Sequence, residues 1–437
     1  MRIVCLQGAA TPELDQENRD LSPVEAGACN TKSVESCRYD PTFTELKRCV
    51  HGMRMARDVT VEYGLRIIFV ELFTVTQKEI RVGIVGASAE SGWARLSHVP
   101  AINGLPGLKL AAVATRNQRS AREAAEAFGA DRWFSDPFAM IRDDLVDVVT
   151  VAVKVPAHRE LVLAALDAGK AVYCEAPLGR TVAETEEMAR AADSLHTAIG
   201  LQGRLNPAVR RAAQLVSSGR IGRPLNARIV ATTVGFGPQM SSTHEYFNDP
   251  SSGANLLTIT AGHTLDLVEA VLGAIIEVDA RAEILWPVVK LTETAEESFR
   301  ETADHVDVLG KTRSGAVFTA HISGGVAPQD VRFSFEIRGS QGWLSLASKH
   351  PYGFQAGDLE LTSNVAFVTP EEPAVSGGLM GAAINVGEVY AHLVRDVHAG
   401  TRSTPGFEHA VHNARLIEAI TRAADLGKRQ RVTGQET

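Results

Sequence analysis

From Glu79 onward the chain alternates short apolar runs with amphipathic stretches. "RVGIV" (Arg81–Val85) is apolar almost throughout and ends in glycine, the pattern of a parallel strand buried on both faces. "LKLAAVAT" (Leu108–Thr115), "DVVTVAV" (Asp147–Val153), "AVYCEA" (Ala171–Ala176) and "HTAIGLQ" (His196–Gln202) repeat it. Between them lie helical patterns. "QRSAREAAEAFG" is alanine-rich and stopped by Gly129, "AHRELVLAALDAG" places apolar residues at 161, 162, 165 and 166, and "TVAETEEMARAADSL" carries Thr181 as its cap. Five strands in strand–helix alternation predict parallel pairing, right-handed crossovers and a doubly wound α/β sheet over residues 78–204.

After "NPAVRRAAQLVSSGRIG", one helix with a glycine stop, the period changes. "LNARIVATTV", "IEVDARAEIL", "HVDVLGKT", "GAVFTAHISG", "VRFSFEIRG" and "GWLSLAS" are strand-like runs with few helices between them. They predict an α+β domain over 205–437 with a mostly antiparallel, open-faced sheet. Apolar residues on more than one face of these strands predict a homo-oligomer. "FEHAVHNARLIEAITRAADLGK" reads as the last helix, and the polar stretch near 363–381 as a loop. Residues 1–77 show no stable period. They are expected to be a poorly ordered extension or an upstream-start artefact, with a regulatory arm as the alternative.

Composition changes this picture little. The chain has 437 residues and a net charge of −8, with no dense basic patch. That argues against a nucleic-acid partner. The run at 64–73, "GLRIIFVELF", contains a glutamate and is too short to span a membrane. The N-terminus lacks the apolar core of a signal peptide, so a cytoplasmic location is expected. Four of the five cysteines, Cys5, Cys29, Cys37 and Cys49, lie in the first 50 residues without a CxxC pair, and no metal site is expected from them.

The chemistry concentrates at strand ends. The first strand runs into "GASAESGW", an imperfect dinucleotide fingerprint with Gly86, Ser88 and Gly92. Gly86 would permit the tight turn and Gly92 the close approach of helix and sheet. The helix-start N–H groups would hold a pyrophosphate, and the Ser88 hydroxyl would reach a phosphate oxygen. The second strand ends in "VATRNQRSA" with no carboxylate for ribose hydroxyls. Thr115 and Arg116 there favour the 2′-phosphate of NADP, with NAD as the alternative. "VKVPAHRE" follows the third strand. Its Lys154 stands at the crevice edge, Pro156 fixes the turn, and His158 opens the next helix as a structural residue or a cofactor neighbour.

"RVGIVGAS", "VAVKVPAHRELVLAALDAGKAVYCEAPLGRTVAE" and "GLQGRLNPAVRRA" resemble the glucose–fructose oxidoreductase / inositol dehydrogenase / MocA (Gfo/Idh/MocA) family across residues 79–435. "GW" at Gly92 and Trp93, "VKVPAH" and "CEAPLG" resemble the branch that includes the yeast galactose-regulon repressor. The resemblance implies a Rossmann domain and a sheet domain that carries substrate and subunit contacts. It implies hydride exchange between NAD(P) and a sugar or cyclitol carbon. Glu175 takes the position of the family's Glu, near the nicotinamide ribose, and Pro177 that of its Pro. Ala176 replaces the family's Lys. In "SSGANLLTITAGHTLDLV" His263 takes the catalytic His position, while Ile259, four residues earlier, stands where the family has Asp. His263 is then the expected base and Lys154 the expected replacement cation, with His244, Tyr246 and Asn255 as sugar contacts. A non-catalytic NAD(P)-binding regulator acting through a protein partner is the competing reading.

Overall fold

The computed structural model describes residues 78–351, 353–367 and 378–432. The expectations for residues 1–77 and for most of the polar connection near 363–381 lie outside the described residues.

The first sheet is built as the apolar runs dictate. β1 (Ile80–Val85) is followed by two short helices, α1 (Trp93–Leu96) and α2 (His98–Gly104), and then by β2 (Leu108–Ala114). α3 (Gln118–Phe128) presents Ala121, Ala124 and Ala125 to the sheet. It is capped by the Asn117 side chain and closed by Gly129 in the left-handed region at φ 73°. β3 (Arg132–Phe134), α4 (Pro137–Ile141), β4 (Val148–Val151), α5 (His158–Asp167), β5 (Ala171–Cys174), α6 (Val182–Ala192) and β6 (Thr197–Ile199) complete the unit. The order is β3-β2-β1-β4-β5-β6, all parallel. There are six strands where the sequence suggested five. The addition, β3, has three residues, RWF, too short to register as an apolar run. Thr181 caps α6 by accepting the Glu184 N–H, and residues 161, 162, 165 and 166 are the buried face of α5.

α7 (Pro207–Ser217) leads into the second sheet. Its strands are β7 (Pro224–Thr232), β9 (Ile275–Glu283), β12 (His305–Thr312), β13 (Val317–Ser323), β14 (Phe333–Gly339), β15 (Trp343–Ser348), β16 (Glu360–Ser363) and β17 (Gln430–Arg431). They run in the order β16-β15-β14-β7-β13-β12-β9-β17 and pair antiparallel except for β13 with β7. β8 (Gln239–Met240), β10 (Val288–Leu291) and β11 (Glu297–Phe299) form a small side sheet. One face of the large sheet packs on α7, α8 (Gly262–Leu272) and α10 (Phe407–Leu426), burying Ile229, Val306, Val308, Phe318, Ile322 and Phe335 in one core. The alternate residues face outward, as the period-2 pattern requires.

One helix is a correction. α9 (Ala382–Ala399) follows directly on the polar connection. It packs Val386, Val389, Tyr390 and Leu393 into the core of the first sheet, against α2 and β1. The far end of the chain thus closes one face of the parallel sheet. Phe407, Ala410 and Val411 of α10 join the core on its other face.

Candidate active site

In a sheet of this order the reversal point lies between β1 and β4, and ligands bind outside the carboxyl ends there. The Ala152 N–H donates to Val85 O at 3.0 Å, the Glu175 N–H to Val151 O at 3.1 Å, and the Gly200 N–H to Cys174 O at 2.8 Å. The loops after β1, β4, β5 and β6 therefore open from one edge.

Gly86 turns away from β1 at φ 99°, and a Cβ there would lie 2.4 Å from Ala152 O. Only glycine fits. The loop to Gly92 is largely exposed, and within it the Glu90 N–H donates to Ser88 Oγ at 3.3 Å. Gly92 precedes α1, with open space where a Cβ would stand. Trp93 packs against the core of the first sheet, its buried Nε1 without a partner. A glycine-gated turn, an open loop and a helix start at the reversal point fit a dinucleotide pyrophosphate. At the end of β2, Thr115 Oγ1 lies 2.6 Å from Ser120 Oγ, and Arg116 is exposed with no partner among the described residues. Arg119 is held by Glu123 at 2.8 Å.

Behind this edge lies a buried polar chain that no sequence motif announces. Glu175 Oε1 is 2.8 Å from Nε2 of His98, the first residue of α2. His98 Nδ1 is 2.9 Å from the Tyr390 hydroxyl of α9, which is 2.7 Å from Thr150 Oγ1 of β4. One proton arrangement satisfies every member. His98 donates from Nε2 to Glu175 and accepts the Tyr390 O–H at Nδ1, and Thr150 donates to Tyr390. Burial pushes the Tyr390 phenol well above its ordinary range, so it stays a donor. The rings of His98, Tyr173 and Tyr390 meet edge to face at centroid distances of 4.9, 5.7 and 5.0 Å. Gly200 backs Glu175 so closely that a Cβ would lie 2.9 Å from it.

His158 ties the loops together. Its Nε2 donates to Val153 O at 3.0 Å, and its Nδ1 lies 3.4 Å from Cys174 Sγ and 3.1 Å from Pro177 O. Burial pulls the imidazole below its ordinary value and pushes the thiol up. Both ring nitrogens face carbonyl oxygens, Nε2 that of Val153 and Nδ1 those of Pro177 and Leu178, so a proton on either nitrogen donates to the backbone of one loop. The structure thus places His158 beneath the loops at 153 and 177. Pro156 is the exposed second residue of a single turn, Val155–Ala157, whose Val155 is buried, and Pro177 follows Ala176 in a cis peptide.

His263 stands second in α8 and is buried. Burial draws its pKa below 6.5, against the opposing pull of Glu175 and Asp266, and its Nδ1 has no hydrogen-bond partner. A neutral imidazole under the influence of Glu175 can accept a proton. The turn before it is a π-helix, Leu257–Ala261, in which the Ala261 N–H reaches back five residues to Leu256 O. The wide turn shifts the helix face just ahead of His263, and Thr258 lies within it. Thr258 lines a cavity of about 300 Å³ together with Ala176, Arg180, Asn413, Glu418 and Arg422. Its Oγ1 accepts the Asn255 N–H at 2.9 Å, and the Thr258 N–H donates to Asn255 Oδ1 at 3.0 Å.

Lys154 points elsewhere. Its Nζ sits 4.3 Å from the ring centroid of Tyr246, in the 3-10 segment Ser242–Asn248 of the second domain. Burial raises the Tyr246 phenol to about 12. His244 stacks on Phe247 at 5.3 Å, and its pKa is lowered by burial and then by Lys154. Lys154, His244 and Tyr246 thus form one group, and Glu175 with His263 another. No hydrogen bond joins Lys154 to His263 among the described residues. His98, Tyr390 and Thr258 are the residues that sequence reasoning missed.

Residues 80–202 match the family described as "Oxidoreductase family, NAD-binding Rossmann fold", and residues 207–348 match "Gal80p, C-terminal domain". The chain belongs to the Gfo/Idh/MocA oxidoreductase family. It is 28% identical over 366 residues to dehydrogenase aclE of Aspergillus oryzae, covering 80% of this chain and 98% of that protein. It is 27% identical over 318 residues to the galactose/lactose metabolism regulatory protein GAL80 of Kluyveromyces lactis, covering 67% of each. Levoglucosan dehydrogenase in complex with NADH and L-sorbose shares the fold at a TM-score of 0.72 and 23% identity, over 82% of this chain and 100% of that one. The relatives are mostly dehydrogenases and reductases, with galactose regulators among them. No helix among the described residues is long and apolar enough to cross a membrane.

Proposed function

We propose that this family member is a nicotinamide-dependent oxidoreductase acting on a sugar-like polyol or its ketone, with NADP preferred over NAD. The observation that carries the reading is His263. It is buried, neutral and unpartnered at Nδ1, within electrostatic reach of Glu175 at the reversal-point edge. The cofactor, when bound, supplies a hydride acceptor or donor at the nicotinamide C4. Gly86, Ser88, Gly92 and Trp93 shape the loop for its pyrophosphate, Thr115 and Arg116 hold its 2′-phosphate, and Glu175 and Pro177 border its ribose. In the oxidative direction His263 takes the hydroxyl proton as the hydride leaves, a role typically worth about 10²–10⁴-fold. His98, fixed between Glu175 and Tyr390, holds that carboxylate in place. Lys154 shapes the substrate end by fastening Tyr246, with His244 and Asn255 nearby in sequence. Residues 78–204 form the cofactor part. Residues 205–437 form the substrate and assembly part, whose open sheet face, bearing exposed Leu309 and Val317, joins copies in a cytoplasmic homo-oligomer.

The match of residues 207–348 to Gal80p and the alanine at 176 favour a second reading, a cofactor-binding regulator without turnover. A screen of sugars and cyclitols with NADPH or NADP, followed by absorbance, separates the two. Turnover lost in His263→Ala supports the enzyme. Tight NADPH binding without turnover across the panel supports the regulator.

A further inference from the structure

The outer face of the large sheet carries a cluster that the nicotinamide chemistry does not use. His305 and Asp307 are alternate residues of β12 and so share a face. Asp307 pairs directly with His321 of β13 in the strand register. Three ligand-bearing side chains therefore converge on two neighbouring strands of a stiff sheet. His305 Nε2 lies 2.9 Å from Asp307 Oδ2, and His321 Nδ1 lies 2.9 Å from Asp307 Oδ1. The three ligand atoms all fall within 4.8 Å of one another. The two imidazoles meet at a centroid distance of 5.1 Å.

We propose that His305, Asp307 and His321 bind one divalent transition-metal ion, zinc first by ligand type. Two imidazoles and a carboxylate are a borderline donor set that suits Zn²⁺, with Co²⁺, Ni²⁺ and Cu²⁺ as competitors. Mg²⁺ and Ca²⁺ prefer six or more oxygens, and this cluster does not supply them. Metal–ligand bonds of about 2.0–2.2 Å in a tetrahedron place donor atoms about 3.3 Å apart. The 2.9 Å contacts run to the two different oxygens of Asp307, so an ion that replaces the shared protons must also draw the two imidazoles, whose ligand atoms lie within 4.8 Å, toward one another. Neutral imidazoles suffice, because the ring proton moves to the nitrogen that does not bind.

The surroundings permit a cation. Arg281 stands opposite Asp307 on β9, and it is turned toward Glu283 at 3.6 Å, itself opposite His305. The arginine's charge is thereby offset. Three protein ligands leave one tetrahedral position open, and it faces a concavity of about 550 Å³ lined by Arg228, Asp279, Arg281 and Thr319 as well as Asp307 and His321. Water or a small anion would fill it. Val306, Val308 and Ile322 point to the opposite face, into the core shared with α8. The sheet thus separates this cluster from His263, and the two sites can be tested apart.

The test uses the full-length protein and two probes, Zn²⁺ by calorimetry and Co²⁺ by visible absorption. The wild type is expected to take up one equivalent through this cluster. Its cobalt spectrum should show d–d bands without the thiolate charge-transfer band that the cysteines of the first 50 residues would give. His305→Ala and His321→Ala should each weaken binding at least tenfold, and the more conservative His305→Gln should do the same. Zn²⁺ should raise the melting temperature of the wild type and not that of the His305→Ala/His321→Ala variant. NADPH affinity should be the same in all of them. The cluster lies outside the core of its own chain, on the sheet face proposed above to join copies, so these variants should fold, and light scattering run beside the calorimetry separates a loss of metal binding from a change in association. Equal metal affinity in wild type and double variant, a thiolate spectrum as the sole signal, or no saturable uptake would overturn the proposal.

Discussion

The two large sheets of this chain use their surfaces in opposite ways. The parallel sheet is covered on both faces, by α2, α3 and α9 on one side and by α5, α6 and the start of α10 on the other. Its faces carry packing, and the groups with chemistry stand at strand ends: Gly86, Arg116, Lys154, Glu175. The eight-stranded sheet is covered on one face and, among the described residues, bare on the other. Its reactive cluster, His305, Asp307 and His321, lies within two neighbouring strands on that second face rather than in a loop. The first sheet has to be read at its loops, the second at every other residue.

The largest effect should come from removing the base at the first sheet's edge. His263→Ala should lower oxidative turnover about 10²–10⁴-fold while NADPH affinity changes little. Burial lowers the pKa of His263, so its neutral form persists below pH 6.5. The wild type's oxidative rate should therefore hold through pH 6.5 and fall only in more acid solution. Steady-state rates across pH 5–8 check both statements. An acid limb centred above 6.5 would assign the proton transfer to another group.

Next in size is the buried chain. Tyr390→Phe keeps the ring and removes the hydroxyl between His98 and Thr150. It should cost about 1–3 kcal/mol of stability, because two buried polar groups lose their partner. Denaturant unfolding reads this directly. An unchanged midpoint would mean that α9 docks by apolar contact alone.

The phosphate end of the crevice should show a smaller, selective effect. Arg116→Ala should weaken NADPH by about tenfold, the loss of one charge-assisted contact, and NADH by much less. Fluorescence titration with both cofactors checks it, and equal losses would make Arg116 a bystander.

Stability should also carry a pH slope. His158, His263 and His392 are held below their ordinary value of 6.5 chiefly by burial, His392 at about 4. In the window from 6.5 toward 4 the unfolded chain binds protons that the folded chain does not, so stability falls as pH falls. Above pH 7 these groups should contribute no slope. Thermal melts between pH 4 and 8 measure it.

Much of the parallel sheet was legible because its signals are local. A five-residue apolar run ends in a glycine that no other residue could replace, and Asn117 and Thr181 cap the helices that follow. The antiparallel sheet was legible from its change of period. α9 was not placed, although Val386, Val389, Tyr390 and Leu393 follow helical spacing. Nothing near them says that the helix returns to a strand some 240 residues earlier to meet Thr150. His98 is missed for the same reason, since its partners come from β5 and α9. The π-turn before His263 was hidden too, because one extra residue in a helix breaks the count on which sequence spacing depends.

The central claim is that the edge between β1 and β4 holds a nicotinamide cofactor that exchanges hydride with a polyol under the control of His263. Its most direct measurement is stereospecific transfer of deuterium from C4-deuterated NADPH to ketone sugars, followed by mass spectrometry with wild type and His263→Ala. The account predicts a singly deuterated alcohol product with the wild type and a yield at least tenfold lower with His263→Ala. Tight NADPH binding with no deuterium in any product, or equal yields from the two proteins, would contradict it.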